Sequence, residues 1–268
     1  MFKLTPFLRN KGIRFLVCLV LIATLNACAV VRVTDERPYE AHLLKHQSGI
    51  KDTAFSTPSF IENSSPVDTG VRIIDNGYKA FEDRLRTIQF AKYSIDIQSF
   101  AWKEGVSSRI FEYALIQAAD RGVKVRLLLD DAVSHPLVYK TLDYHPNITV
   151  RHYNPFSADR ALMGMRAIEW TVKPWLNHRM HIKALIADNQ FAISGSRNFD
   201  DRYFDVPTSA MLFRDVDLFL VDGVVKQLSN NFDHYWNSRW SVPFEELYGS
   251  HSANKYKNLV GNMSGITQ

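Results

Sequence analysis

Cysteine is nearly absent: there are two in 268 residues, Cys18 and Cys28. Cys18 lies inside an apolar run, and loss of that run leaves Cys28 alone. A disulfide framework and a Cys-x-x-Cys metal or redox site are both excluded, so the folded part must rest on its core. No strongly apolar run approaches the roughly 20 residues that a membrane-spanning helix needs. Acidic residues are missing before Asp35, whereas Lys3, Arg9, Lys11 and Arg14 precede the apolar stretch Phe15 to Leu25. A basic segment, a short apolar one and then small residues form the pattern of an export signal. Without residues 1–27 the formal net charge falls from +4 to 4 − 4 = 0. The net basic field of a typical nucleic-acid binder is therefore missing from the mature chain, and nucleic acid is not the expected partner.

The signal ends Leu25-Asn26-Ala27-Cys28, which resembles a bacterial lipobox. The resemblance implies acylation of Cys28, and Ala29 in place of Asp points to the outer rather than the inner membrane. The expected plan is a signal peptide over 1–27, a lipidated tether over 28–70, one domain over 71–244 and a polar tail over 245–268. The tether is broken by Pro38, Pro58, Pro66 and Gly70, which is loop chemistry.

From Val71 the pattern alternates between strand and helix. Val71 to Ile74 is a short apolar run, and Phe81, Leu85, Ile88 and Ala91 then recur at helical spacing. Further strands are expected over Tyr93–Trp102, Val123–Leu129, Ile148–Tyr153, Phe191–Ser196 and Arg214–Val221. Helices are expected over Ser107–Ala119, near Pro136–Asp143 and over Val224–Trp240. Such alternation predicts an α/β layered domain with a mixed, largely parallel sheet. Residues 156–176 mix Met165, Ile168, Trp170 and Trp175 with Arg160, Arg166 and Lys173. Two readings stay open there: a lid or lipid-facing interfacial segment, and an ordinary amphipathic helix on the core. Asp130-Asp131 has turn chemistry rather than the spacing of a metal site, and Tyr203-Phe204 and Trp236 to Trp240 are expected core aromatics.

The chemistry concentrates in His181-Ile182-Lys183-Ala184-Leu185-Ile186-Ala187-Asp188 and Gly195-Ser196-Arg197-Asn198. His181 and Lys183, two apart on a strand, share one face. Asp188-Asn189 between apolar runs predicts a two-residue hairpin, which would set His181 opposite Ser196. An imidazole, an ammonium and a hydroxyl on one surface, with the Asn198 amide beyond, suit a phosphodiester. The imidazole can attack phosphorus, and Lys183, Ser196 and Asn198 can stabilise the equatorial oxygens.

This pattern resembles the His-x-Lys signature of the phospholipase D superfamily. Ser94 to Ser99, Ala118 to Val125, Asn154-Pro155-Phe156 and Leu176 to Lys183 are similar to its bacterial cardiolipin synthase branch, in particular lipoprotein-like members of the C type. The resemblance implies a phospholipase D-like α/β/α sandwich and a cofactor- and metal-independent, two-step transfer. It implies His181 as nucleophile and Lys183 and Asn198 as holders of the phosphoryl oxygens. Asp188 completes the catalytic signature while supporting the turn, and Asp217 is a candidate for orienting an imidazole. A phospholipid substrate in a membrane follows, with phosphatidyl transfer or hydrolysis as the outcome.

One departure matters. Two-motif members carry a second such histidine, whereas His42, His46, His135, His145, His152, His178, His234 and His251 are not followed by x-Lys-x4-Asp. A homodimer or a pairing with a two-motif paralogue is the expected way to supply a second imidazole. The rivals are a single-motif envelope endonuclease and a truncated, non-catalytic paralogue that binds lipid or protein. The lipobox itself makes a direct prediction. Cys28→Ser leaves the precursor uncleaved, and intact-mass measurement of the wild type finds an acylated Cys28 as first residue. A mature protein beginning elsewhere overturns it.

Overall fold

Strands whose side chains are buried on both faces need a layer above and a layer below. A computed structural model of the chain describes residues 69–134, 140–156, 163–206 and 211–248. The signal, the tether with Cys28, the first half of the predicted helix near Pro136 and the tail beyond Tyr248 lie outside the described residues. Among the described residues, Phe156–Asn177 forms a unit apart from the rest.

The larger unit is built on one eight-stranded sheet. In chain order its elements are β1 (Thr69–Ile74), α1 (Gly77–Phe90), β2 (Ser94–Ser99), α2 (Val106–Asp120), β3 (Lys124–Asp130) and β4 (Ile148–Tyr153). The smaller unit then contributes α3 (Met163–Val172). Next come β5 (Ala184–Ala187), β6 (Phe191–Gly195), β7 (Asp217–Asp222), α4 (Val224–Trp236), β8 (Ser241–Pro243) and the short α5 (Phe244–Tyr248). Across the sheet the order is β1-β7-β6-β5-β2-β3-β4-β8.

One face carries Ile95, Ile97, Leu127, Leu129, Leu185 and Ile193, packed with Ile88 of α1 and Phe111 and Leu115 of α2. The other face carries Leu128, Ile186, Ala192 and Leu220, packed with Val225, Phe232 and Trp236 of α4. The α/β/α layering expected from the sequence is therefore present. Its largely parallel sheet is not: only β2–β3 and β3–β4 run parallel. The β1–β7, β7–β6, β6–β5, β5–β2 and β4–β8 pairs are antiparallel. The Asp188-Asn189 hairpin makes β5–β6 antiparallel, since a tight turn can only join antiparallel strands, and the other antiparallel pairs join strands that are distant in sequence.

Helix starts follow polar side chains, some of them remote in sequence. Asn76 caps α1 by accepting from the Lys79 N–H at 2.8 Å. The first N–H groups of α2, on Val106 and Ser107, go to the Asp201 carboxylate at 2.9 and 2.7 Å. The strand expected over Arg214–Val221 starts only at Asp217, and the helix expected to reach Trp240 ends at Trp236. Chain after Trp240 forms β8, pairing Ser241–Pro243 with β4. Phe204 and Trp236 are core aromatics, as expected.

The alternation of β2 predicts a polar face, yet all six of its residues are buried. Asp96 on that face meets the Arg126 guanidinium in a two-pronged contact at 2.7 and 2.8 Å. Arg126 also holds Asp233 of α4 at 2.7 Å and lies over the Phe232 and Trp236 rings at 4.7 and 5.3 Å. Breaking a buried ion pair by removing one partner typically costs about 3–5 kcal/mol, because the other charge stays buried. Arg126→Met, which leaves two buried carboxylates, is expected to lower unfolding stability by about that much in urea titration. A loss below about 1 kcal/mol means that the cluster does not hold α4 to the sheet.

Candidate active site

The approach to β5 is pinned before the reactive residues begin. Asp130, at the C-terminal end of β3 and fully buried, accepts the Met180 N–H at 2.9 Å and Arg179 Nη1 at 3.1 Å. Its second tie to its own turn is the Ala132 N–H at 2.9 Å. Asn154, just beyond β4 at φ 46°, donates from Nδ2 to the His178 carbonyl at 2.9 Å and accepts Arg179 Nη2 at 2.5 Å. Residues 178, 179 and 180 are thus held by the ends of two neighbouring strands. Sequence reasoning assigned Asp130 to turn chemistry and missed this role. A carboxylate at a strand end carries no local sign that its partner lies 50 residues away.

His181 follows, exposed, its ring centroid 4.6 Å from that of Phe100. Lys183 is buried, with Nζ 5.3 Å from the centroid of the same Phe100 ring and donating to the His181 carbonyl at 2.7 Å. Both residues precede β5 rather than lying on a strand as expected, and both side chains stand against the Phe100 ring. Burial lowers the His181 pKa from its ordinary 6.5, and the Lys183 charge lowers it further. Burial also lowers the Lys183 pKa, against the pull of Asp215. The result is an imidazole held neutral at pH 7 beside a partly desolvated cation.

The hairpin differs from its expected register by one residue. Asp188 and Asn189 do turn the chain, at φ 53° and 54°, and the Gln190 N–H bonds the Ala187 carbonyl at 3.0 Å. The ladder resumes with Ala187 opposite Phe191, so Gln190 stands outside the pairs as an extra residue. Gly195 then donates to the Lys183 carbonyl at 3.3 Å, and Ser196 is not the residue facing His181. Ser196 is exposed and donates from Oγ to Asp215 at 2.6 Å. Asp215 therefore links Ser196 to the electrostatics of Lys183. Asn198 is buried: its Oδ1 accepts the Ala101 N–H at 3.0 Å, and its Nδ2 donates to Tyr203 Oη at 3.2 Å. The second amide hydrogen of Asn198 is the one suited to a phosphoryl oxygen.

Two carboxylates expected near the chemistry serve the scaffold. Asp188 lies past the far end of β5 and accepts the N–H groups of Lys92, Tyr93 and Ser94 at 2.8, 2.8 and 2.9 Å. Its place is in the turn, joining the hairpin to the start of β2, and not among catalytic groups. Asp217, the candidate for orienting an imidazole, instead meets Arg84 of α1 at 2.9 Å and Arg197 at 3.0 Å. Burial raises its pKa, but the two guanidinium groups outweigh it and hold the carboxylate ionised. Arg197 also donates to the carbonyls of Ile74, Asp75, Tyr203 and Asp215. The motif glycine now has a reason: a Cβ on Gly195 would lie 2.2 Å from Asp217 Oδ1 and 2.5 Å from the Val216 carbonyl. Among the described residues, no group of three or more His, Cys, Asp or Glu side chains is placed to hold a metal ion.

This strand pair, its glycine and its paired basic residue lie within residues 85–236, which match the family model described as "Cardiolipin synthase, PLD-like domain". The chain belongs to the phospholipase D superfamily. It is 35% identical to "Cardiolipin synthase C" of Escherichia coli (strain K12) over 184 residues, 68% of this chain and 38% of that one. To "Cardiolipin synthase 1" of Bacillus cereus it is 28% identical over 191 residues, 33% of that protein. The chain thus spans about two fifths or less of the curated relatives it matches here. Among solved structures it is similar to NucT from Helicobacter pylori, with a TM-score of 0.49, 19% identity and coverage of 66% of this chain and all of that one.

Within this phospholipase D-like domain the reactive and supporting residues should separate in stability measurements. Asp188→Ala strands backbone donors at the start of β2 and is expected to cost about 2–4 kcal/mol. His181→Ala, at an exposed position, should stay within about 0.5 kcal/mol of wild type. Urea unfolding of both variants checks this, and equal losses would remove the distinction.

Proposed function

We propose that this phospholipase D-like domain processes the phosphodiester of membrane phospholipids through a phosphohistidine on His181. The transfer is of the cardiolipin synthase kind when a lipid alcohol is the acceptor, and of the phospholipase D kind when water is. The carrying observation is the exposed imidazole of His181, held neutral beside the buried Lys183 ammonium on the Phe100 ring. The similarity to cardiolipin synthase C supports the lipid substrate.

In the first step an imidazole nitrogen of His181 bonds to phosphorus as the bond to the leaving alcohol oxygen breaks. Lys183 and the free hydrogen of the Asn198 amide stabilise the charge that builds on the equatorial oxygens. The leaving alkoxide takes a proton from an acid. His181 is occupied as nucleophile, so that acid is a second imidazole from another chain, a homodimer partner or a two-motif paralogue. In the second step an acceptor oxygen attacks phosphorus, the P–N bond breaks, and the acceptor's proton returns to the second imidazole. In this reading the protein is held in the bacterial envelope by an acylated Cys28, with the outer membrane as its site.

The test incubates the purified full chain with labelled phosphatidylglycerol and, separately, with plasmid DNA, both in EDTA. Lipid turnover persists in EDTA, and His181→Ala lowers it by about 10³-fold or more. The acid limb of kcat/KM lies below pH 6.5, because the rate falls only when His181 becomes protonated. Mixtures of wild type with His181→Ala lose activity as mixed dimers form. DNA cleavage without lipid turnover favours the endonuclease, and no turnover with any partner favours a non-catalytic lipid- or protein-binding role.

A further inference from the structure

A carboxyl group is rarely left in an apolar layer unless it is paired with a charge. Glu112 of α2 stands in such a layer: it is 6% exposed, and Phe111, Leu115 and Ile116 beside it on the helix are core residues. Its Oε1 accepts the Trp102 indole N–H at 3.1 Å. Burial pushes the carboxyl up to about 8, against the indole bond and the Arg109 charge, and Glu104 adds to the rise. At pH 7 Glu112 is therefore mostly a neutral acid, bonded to Trp102. An apolar side chain would fill the place without the cost of burying a carboxyl. What the carboxyl adds is a fixed seat for the indole.

Trp102 joins two segments that meet the reactive groups. Its ring lies on that of Phe199, with centroids 4.1 Å apart and planes at 8°. The two main chains form a parallel bridge, in which Phe199 donates to the Ala101 carbonyl at 3.1 Å and Lys103 to the Phe199 carbonyl at 2.8 Å. Ser134 Oγ accepts the Trp102 N–H at 3.1 Å and donates to the Phe100 carbonyl at 3.3 Å. One residue before Trp102, the Ala101 N–H holds Asn198 Oδ1. Two residues before it, Phe100 carries the ring that backs His181 and Lys183.

We propose that Glu112 is a positioning residue for the reaction at His181, fixing the Trp102 indole and, through it, the Phe100 ring and the Asn198 amide. Its loss misplaces reacting groups without removing one, and a displacement of about 1 Å among such groups costs on the order of 10²-fold in rate. The inference rests on the phosphodiester reading above, and its first measurement needs no turnover.

The experiment uses the full chain in three variants. Glu112→Gln keeps a neutral acceptor for the indole, Glu112→Leu removes it, and Trp102→Phe keeps a ring on Phe199 but removes the donor. Circular dichroism verifies folding, and Trp102→Phe carries the same test should Glu112→Leu not fold. Proton resonances of the His181 imidazole, assigned by their loss in His181→Ala, report the Phe100 ring current at 4.6 Å. They are expected to move by more than a linewidth in Glu112→Leu and Trp102→Phe and to keep their wild-type positions in Glu112→Gln. With soluble bis(p-nitrophenyl) phosphate, kcat falls about tenfold or more in the Leu and Phe variants with KM within about twofold. Glu112→Gln stays within about twofold of wild type in both constants, and the Leu/Phe double variant is no slower than the worse single one. Wild-type His181 resonances in both Glu112→Leu and Trp102→Phe overturn the proposal. So does a Gln variant that behaves like the Leu variant, because the indole bond is then not what matters. If the resonances move as expected while the wild type turns over no phosphodiester, the functional reading fails and the link from Glu112 to His181 stands.

Discussion

The buried carboxylate of Asp217 is the constraint on which the active-site end of the sheet depends. It sits between Arg84 of α1 and Arg197 of the motif, out of contact with water. Ionised and doubly paired it is stable there. Stripped of both guanidinium groups it would be an uncompensated charge in low dielectric, a loss of about 3–5 kcal/mol or more. Its position forces glycine at residue 195, because no Cβ fits beside it. Arg197, held by the same carboxylate, gathers the carbonyls that end β1, precede β7 and lie at Tyr203. Tyr203 in turn receives the Asn198 amide. One ion cluster thus sets the course of the chain on either side of the residues that would touch a phosphoryl group.

Around this cluster the domain keeps its charges in two classes. Asp96–Arg126–Asp233 and Asp217–Arg84–Arg197 are buried and saturated, and they join helices to the sheet. His181 and Lys183 are different. The first is exposed, and both have pKa values pushed toward the neutral form, chiefly by burial. A saturated cluster resists change, whereas a group with part of its hydration removed and no opposite charge bonded to it is ready to react. The supports for the reactive pair therefore come from elsewhere, from Asp130 and Asn154 at the ends of β3 and β4.

In the proposed reaction His181 is the one motif histidine of residues 1–268. A phosphodiester needs a nucleophile and an acid, and one histidine cannot be both in the same step. Residues 28–268 carry no net formal charge, which suits the proposed phospholipid substrate better than a polyanion.

Much was determined by the sequence alone: the strand–helix alternation, the layered α/β class and the turn at Asp188-Asn189. All of these follow from periodicity and local turn preference, which act over a few residues. The tertiary structure decided what depends on distant partners. Antiparallel pairing prevailed because strand neighbours are chosen by the whole core. The extra residue at Gln190 moved the ladder by one, and with period-two side chains a slip of one changes every facing pair. Asp188 and Asp217 carry the same carboxylate as any candidate catalyst, yet one meets backbone donors 94 to 96 residues away and the other a guanidinium 133 residues away. A carboxylate's role is set by the charge and hydrogen bonds around it, and those are assembled only when the chain has folded.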